Sequence, residues 1–351
     1  MNDRPPVVVL PGLLGSRLGI PGEPGLIWGD VRSFYFPKGR GVHLRDRADL
    51  EPRGVLETVP VVPRLFEVAV YSDLLRHLRH DGWDVHPFGY DFRKDTMSLV
   101  VDLARHLEEV GKATGAPELV LVGHSHGGVL ASVLARTGAA SLRVKIRAVI
   151  ALAAAFRGSL DNLRMMVDGY RVAPLAFHYD APFHVLARSP AETLPPPGTA
   201  CFEDESGKLL EIDIYDMGTW MRHELGIFAP AIRRGMPDRA FGLLARELEA
   251  GLARGADLHR ALEAPLPPGT PDHRVIAGVG QATRRRAVLS RTGSGWRADF
   301  GRGTTVSGDG EVELESAAAC GGRTREVPGT HRDLINRADT WRAVSAELAS
   351  L

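Results

Sequence analysis

The chain has 351 residues, enough for one large α/β domain or two smaller ones. Its 43 basic and 43 acidic residues cancel, which excludes nucleic acid as the main partner because phosphate binding wants a basic surplus. The only cysteines, Cys201 and Cys320, exclude a disulfide framework and offer no C-x-x-C metal spacing. Two free thiols in a reducing compartment is the simpler reading, with a single bridge left open. No apolar run approaches the length of a membrane-spanning helix. The N-terminus lacks the basic and apolar regions of a signal peptide, so a cytoplasmic location is expected.

In chain order, Pro6–Leu10 reads as the first strand. It runs into Pro11-Gly12-Leu13-Leu14-Gly15, a turn rich in backbone freedom. Residues 16–59 have little periodicity and many Gly, Pro and Arg, and read as a lid-like loop. Its aromatic residues Trp28, Phe34, Tyr35 and Phe36 are candidates for a substrate wall, because long loops inside compact domains are usually functional or disordered. Ser72–Asp81 reads as a helix with Ser72 as N-cap, Leu74, Leu75 and Leu78 on one face, and Gly82 as its stop. Trp83–Phe88 is a strand and Gly89–Arg93 a loop. Thr96–Gly111 is a second helix, with Leu99, Val100, Leu103, Leu107 and Val110 on one face. Leu119–Val122 and Arg147–Ala155 are further apolar strands. This alternation predicts an α/β fold with a mostly parallel, doubly wound sheet.

The rhythm breaks at about Gly158. Residues 158–268 show helical patches such as Arg239–Leu252 and read as a cap subdomain inserted into a single domain spanning 1–351. The core resumes with the strand His273–Gly278. Strand and turn signals follow to Val327, and a helix from about Thr340 closes the chain. Arg284-Arg285-Arg286 reads as a solvated loop. Ala277–Thr283 lacks the third glycine of a dinucleotide fingerprint and is a strand-to-loop transition, so no cofactor is implied.

The most informative stretch is Glu118–Leu130, ELVLVGHSHGGVL. Gly123-His124-Ser125-His126-Gly127 matches G-x-S-x-G between a buried strand and a helix, the setting of a nucleophile elbow. A serine hydroxyl is a weak nucleophile and needs a base, which in turn needs an orienting carboxylate. His331, the last of 13 histidines, follows the turn-like Pro328-Gly329-Thr330. Asp309 lies in the tight turn Ser307-Gly308-Asp309-Gly310. Spacing alone leaves it in competition with Asp333 and with Glu311, Glu313 and Glu315, which alternate as on a strand. The oxyanion hole should combine the N–H of His126, next after the nucleophile, with one from the loop after the first strand, at Leu13. His124 and His126 have no third ligand nearby and do not read as a metal site.

Together these segments resemble the lecithin:cholesterol acyltransferase family of the α/β-hydrolase superfamily. Val7–Leu18 resembles its opening strand and oxyanion loop. Tyr71–Arg93 resembles a segment ending in a Tyr-Asp-Trp-Arg-like motif, here Tyr90-Asp91-Phe92-Arg93. Gly123–Gly128 resembles the elbow and Val275–Thr283 a core strand. Gly308-Asp309-Gly310 resembles the acid turn, and His331 with Leu334 and Ile335 the histidine segment. The resemblance implies Ser125, Asp309 and His331 as a triad acting on lipid acyl esters, with water or an alcohol as acceptor. It also leaves peripheral membrane contact open. Two departures stand out. Glu311 replaces the usual threonine after the acid turn, and the lid carries no cysteine. The residues by themselves imply acyl chemistry only. A soluble small-ester carboxylesterase and a non-catalytic hydrolase-fold binding protein remain as alternatives.

Overall fold

The computed structural model describes residues 4–30, 50–62, 66–138, 141–172, 177–293 and 295–351. Six parallel strands form its central sheet: β1 (Val7–Leu10), β2 (Val85–Pro87), β3 (Glu118–His124), β4 (Lys145–Leu152), β5 (Asp272–Val279) and β6 (Arg323–Pro328). Their order across the sheet is β6-β5-β4-β3-β1-β2, and each neighbouring pair is parallel. The order reverses at β1, so the ends of β1 and β3 meet at the switch point where open α/β sheets hold ligands.

The sheet is covered on both faces, which is why its strands read as unbroken apolar runs. Side chains alternate along each strand. Val8, Leu10, Leu119 and Leu121 pack with Leu99, Leu103 and Leu107 of helix Thr96–Thr114. Val7, Val9, Val120 and Val122 pack on the other face with Leu74, Leu75 and Leu78 of helix Ser72–His80 and with Val344 and Leu348 of helix Ala338–Ala349. Truncating one such fully buried leucine to alanine costs about 2–5 kcal/mol. Helix Thr96–Thr114 is capped by the Asp95 carboxylate, which accepts from Ser98 N–H, and stops at Gly115 with φ 69°. Ser72 is the first helical residue rather than a cap. Tyr71 takes the cap position and makes no side-chain cap bond.

Three regions differ from the sequence reading. In residues 16–59, strands Ser16–Gly19, Leu26–Trp28 and Glu51–Val55 form a small antiparallel sheet, and Thr58–Val62 pairs with Phe66–Ala69. These strands are too short and bulged to show a period of two.

In residues 158–268, helix Asp238–Glu263 has 26 residues, well beyond Arg239–Leu252. Its glycines weaken the helical signal but serve packing: a Cβ on Gly251 would lie 2.8 Å from Ala191 Cβ, and one on Gly255 2.7 Å from Ala191 O. This segment has its own core, with Leu163, Trp220, Leu248 and Leu252 around Phe202.

The third difference concerns residues 281–308. They lie outside the central sheet, and Phe202–Glu203 pairs in parallel with Ala287–Val288. The inserted segment and this later stretch thus share a four-stranded sheet. Arg285 pairs with Glu313 and Glu315, and Arg286 faces Glu203, so the arginine run is paired rather than a solvated loop. Glu313 precedes a short helix, Leu314–Ala318, in place of the expected strand. Cys201 and Cys320 are both buried and free. Among the described residues no helix is long and apolar enough to cross a membrane. The parallel sheet with helices on both faces has the α/β-hydrolase fold.

Candidate active site

Strand β3 ends at His124, and helix His126–Thr137 begins two residues later. Ser125 makes the corner with φ 52° and ψ −123°, a left-handed conformation that a non-glycine residue holds only when its surroundings enforce it. Ser125 N–H donates to Leu152 O at 2.8 Å, tying the corner to β4. The corner also demands close backbone approach. A Cβ on Gly127 would lie 2.4 Å from Pro11 O, and one on Gly123 2.5 Å from Gly127 O. The two glycines of G-x-S-x-G are therefore steric requirements.

His331 Nε2 lies 3.0 Å from Ser125 Oγ, and His331 Nδ1 lies 2.8 Å from Asp309 Oδ2. These three residues come from the end of β3, the turn after strand Thr305–Gly308 and the loop after β6. The other Asp309 oxygen accepts from Glu311 N–H at 3.0 Å and Val312 N–H at 2.7 Å. His331 N–H also donates to Asp309 O at 2.9 Å. The competing acids point elsewhere. Glu311 binds Arg332 at 2.7 Å, Asp333 accepts from Thr330 Oγ1 at 2.7 Å, and Glu313 and Glu315 bind Arg285. Glu311 in place of threonine leaves the turn intact, because the turn uses its N–H.

Burial is the largest influence on His331 and disfavours its charged form. The Asp309 hydrogen bond and charge, with Glu311 and Asp161, outweigh it and raise the pKa to about 9. With Nδ1–H held on Asp309, the neutral ring presents the bare Nε2 to the Ser125 hydroxyl, the arrangement of a general base.

Pro11–Leu13 passes directly beside the serine: a Cβ on Gly12 would lie 3.0 Å from Ser125 Cβ. The N–H groups of Leu13 and His126 have no acceptor among the described residues, which leaves both available to an oxyanion. Tyr71 and Tyr90 entered the sequence analysis only as the first residues of a family-like segment and motif, with no role at this loop. Gly12 N–H donates to Tyr71 Oη at 2.7 Å, and Tyr71 Oη lies 2.8 Å from His124 Nδ1. Tyr90 Oη donates to Pro11 O at 2.8 Å and lies 3.1 Å from His126 Nδ1. The partners are 59 and 79 residues apart along the chain, so no local pattern could reveal them.

A cavity of about 530 Å³ opens over Ser125 and His331. Trp28, Leu14, Leu56, Met165, Tyr170 and Tyr179 give it apolar walls, and Asp161, Glu311 and Arg332 a polar edge. Trp28 is buried, donates Nε1–H to Leu14 O at 3.0 Å, and meets Phe92 and Tyr179, each 5.4 Å between ring centres. Trp28 thus lines the same cavity as Ser159, Asn162, Met165, Tyr170 and Tyr179. Phe34, Tyr35 and Phe36 lie outside the described residues.

No protein-family model and no curated protein matches the chain. Solved structures are similar to it in fold. One, from the Tle4–Tli4 complex, aligns with a TM-score of 0.68 at 15% identity over 99% of both chains. Bacillus licheniformis lipase BlEst2 in mature form aligns at 14% identity over 99% of this chain and 93% of that one, with a TM-score of 0.45. A carboxylesterase of Nitrososphaera gargenis aligns at 13% identity over 99% and 90%, with a TM-score of 0.32. At these identities the likeness concerns the fold. It does not extend to the acyltransferase family that the motifs resemble.

Proposed function

We propose that this protein is a serine hydrolase that takes the acyl group of a lipid-like ester onto Ser125. The observation that carries the reading is the chain of contacts Ser125–His331–Asp309 at the floor of a mainly apolar cavity. Ser125 Oγ attacks the ester carbonyl while His331 Nε2 takes its proton. The tetrahedral oxyanion accepts hydrogen bonds from Leu13 and His126 N–H, which have no other acceptor among the described residues. His331 returns the proton to the departing alcohol, leaving an acyl-enzyme. Water or an acceptor alcohol then attacks by the same route, and Asp309 holds the imidazole in the working tautomer throughout.

The lipid part of the reading rests on the apolar walls and on the motif resemblance. In this reading residues 16–59 serve as a lid, contributing Trp28 to the acyl site, and residues 158–268 as a cap.

A fluorophosphonate probe should label Ser125 in the wild type and fail on Ser125→Ala. Turnover of p-nitrophenyl esters should rise with acyl length from acetate to octanoate; a flat or falling series favours the small-ester reading. Product analysis with phospholipid and an added alcohol distinguishes transfer from hydrolysis. No labelling and no turnover of any ester would leave the non-catalytic reading in its place.

A further inference from the structure

We propose that Tyr71 and Tyr90 are positioning residues that clamp the two ends of one peptide unit, Pro11–Gly12, and thereby aim the next N–H, that of Leu13, at the oxyanion. The proposal rests on the acyl-chemistry reading above. Pro11 C=O and Gly12 N–H belong to the same planar amide. One end accepts from Tyr90 Oη and the other donates to Tyr71 Oη. Both tyrosines are buried, at 1% and 2% exposure. Turning this amide over would break both bonds and leave each buried hydroxyl one partner short, the costly half of hydrogen-bond energetics.

Each hydroxyl is in turn seated on a histidine that flanks the nucleophile. A phenol has one proton to donate, which fixes the direction of both relays. The Tyr71 oxygen accepts from Gly12, so its proton goes to His124 Nδ1, and neutral His124 carries its own proton on Nε2. The Tyr90 proton goes to Pro11 O and the Thr96 hydroxyl proton to Glu192 Oε2, so both oxygens facing His126 are acceptors; its proton goes to the closer, from Nδ1 to the Tyr90 oxygen at 3.1 Å, rather than from Nε2 to Thr96 Oγ1 at 3.4 Å. The two histidines therefore hold opposite tautomers. Burial is the main reason both stay neutral, lowering His124 to about 3 and His126 to about 4. Neutrality at His124 matters for the chemistry. Its ring centre is 5.1 Å from that of His331, and a charge there would oppose the imidazolium that His331 becomes.

The consequence is a preassembled oxyanion site. His126 N–H sits on the elbow and Leu13 N–H on a separate loop. The tyrosines fasten that loop to the side chains of the elbow's own residues, 124 and 126. Both donors then move as one body with Ser125, with no substrate needed to bring them together. Such donors act most strongly when their orientation costs nothing at the moment of reaction.

The test uses Tyr71→Phe, Tyr90→Phe and the double variant of the full chain, with p-nitrophenyl octanoate as substrate and an octyl trifluoromethyl ketone as tetrahedral mimic. Removing one oxyanion donor outright costs about 10²–10³ in kcat, and loosening one should cost less. The expectation is roughly a tenfold fall in kcat for each single variant and a larger fall for the double, with KM changed less than about threefold. Inhibition by the ketone should weaken in step with kcat/KM. A purely structural role would instead lower the active fraction without changing inhibitor affinity. A double variant with wild-type kcat and wild-type inhibition overturns the proposal.

A second measurement does not depend on variants folding. In ¹⁵N-histidine spectra of the wild type near pH 7, His124 should be the Nε2–H and His126 the Nδ1–H tautomer. Matching tautomers, or a charged ring at either site, overturns the clamp even in an active enzyme. Opposite tautomers in a protein that turns over no ester refute the acyl-chemistry reading instead, and with it the purpose of the clamp.

Discussion

The two sides of the cavity over Ser125 are fastened differently. On the side formed by the ends of β1 and β3, neutral groups meet in buried single hydrogen bonds: Gly12 with Tyr71, Tyr90 with Pro11, and each tyrosine with a histidine. On the opposite side, residues 159–170 and 311–333 each hold partly exposed ion pairs of their own. Arg332 binds Glu311 with side chains 50% and 27% exposed, Arg164 binds Asp161 with 29% and 18%, and Arg332 covers the Tyr170 ring at 4.8 Å. Buried neutral bonds fix geometry at any salt concentration. Exposed ion pairs are weak, screened and able to rearrange. In the proposed mechanism, the contrast gives rigidity to the side that would perform the chemistry and adaptability to the side that would admit substrate.

The strongest way to break this contrast is at its fixed centre. Ser125→Ala should lower kcat by about 10⁴–10⁶ while the melting temperature stays near wild type. Wild-type turnover in a clean preparation would refute the mechanism. Next in size is Asp309→Asn, which keeps the shape of the turn but offers His331 the wrong partner. Steady-state kinetics should show a loss of about 10⁴. A loss below tenfold would return the acid role to Glu311 or Asp333.

On the adaptable side effects should be smaller and depend on substrate. Met165→Ala removes part of the cavity's apolar wall and no member of the triad. It should lower kcat/KM for an octanoyl ester by about tenfold and leave an acetyl ester nearly unchanged. An equal loss on both would place Met165 in the rigid frame.

The smallest effect sharpens the comparison through pH. His331 must be neutral to act as base, and Asp309, Glu311 and Asp161 favour its charged form. The kcat/KM profile should therefore rise with pH, with a midpoint well on the alkaline side of imidazole's usual value of about 6.5. Glu311→Gln removes one of the stabilising negative charges, so the midpoint should move to lower pH, by about half a unit. A move to higher pH would contradict the electrostatic assignment. The same raised pKa has a stability counterpart. The protonated pair stabilises the fold fully below about pH 6.5, and this contribution fades as pH rises through His331's folded value.

What could be read from residues alone follows the range of the interactions. The elbow was legible because strand, turn glycines and helix lie within a dozen consecutive residues. The central strands were legible because burial on both faces leaves long apolar runs. His331 and Asp309 were visible as positions in turns, but the choice among nearby acids is made by Glu311 and Val312 N–H groups, which carry no residue-type signature. The helix over 238–263 was only partly visible, because Gly251 and Gly255 answer to Ala191 across the interface rather than to helix propensity. The tyrosine contacts span distant parts of the chain and appear only in three dimensions.

The pairing of Phe202–Glu203 with Ala287–Val288 bears on how this protein could be rebuilt. It is tempting to treat residues 158–268 as an exchangeable module, cut at two linkers and moved onto another scaffold. That graft would leave strand 202–203 without its parallel neighbour and Leu289 and Ala287 without the core they share with Leu248 and Trp220. It would also cut the stitching near residue 158, where Ser316 Oγ donates to Gly158 O at 2.8 Å and Ser159 Oγ donates to Glu311 O. The transplantable unit is discontinuous: it comprises 158–268 together with about 287–300, with β5 and the strand Gln281–Arg284, which pairs with Thr305–Gly308 beside the Asp309 turn, left behind in the host. A chimera respecting that boundary keeps the sheet whole and leaves the turn that carries Asp309 to the host.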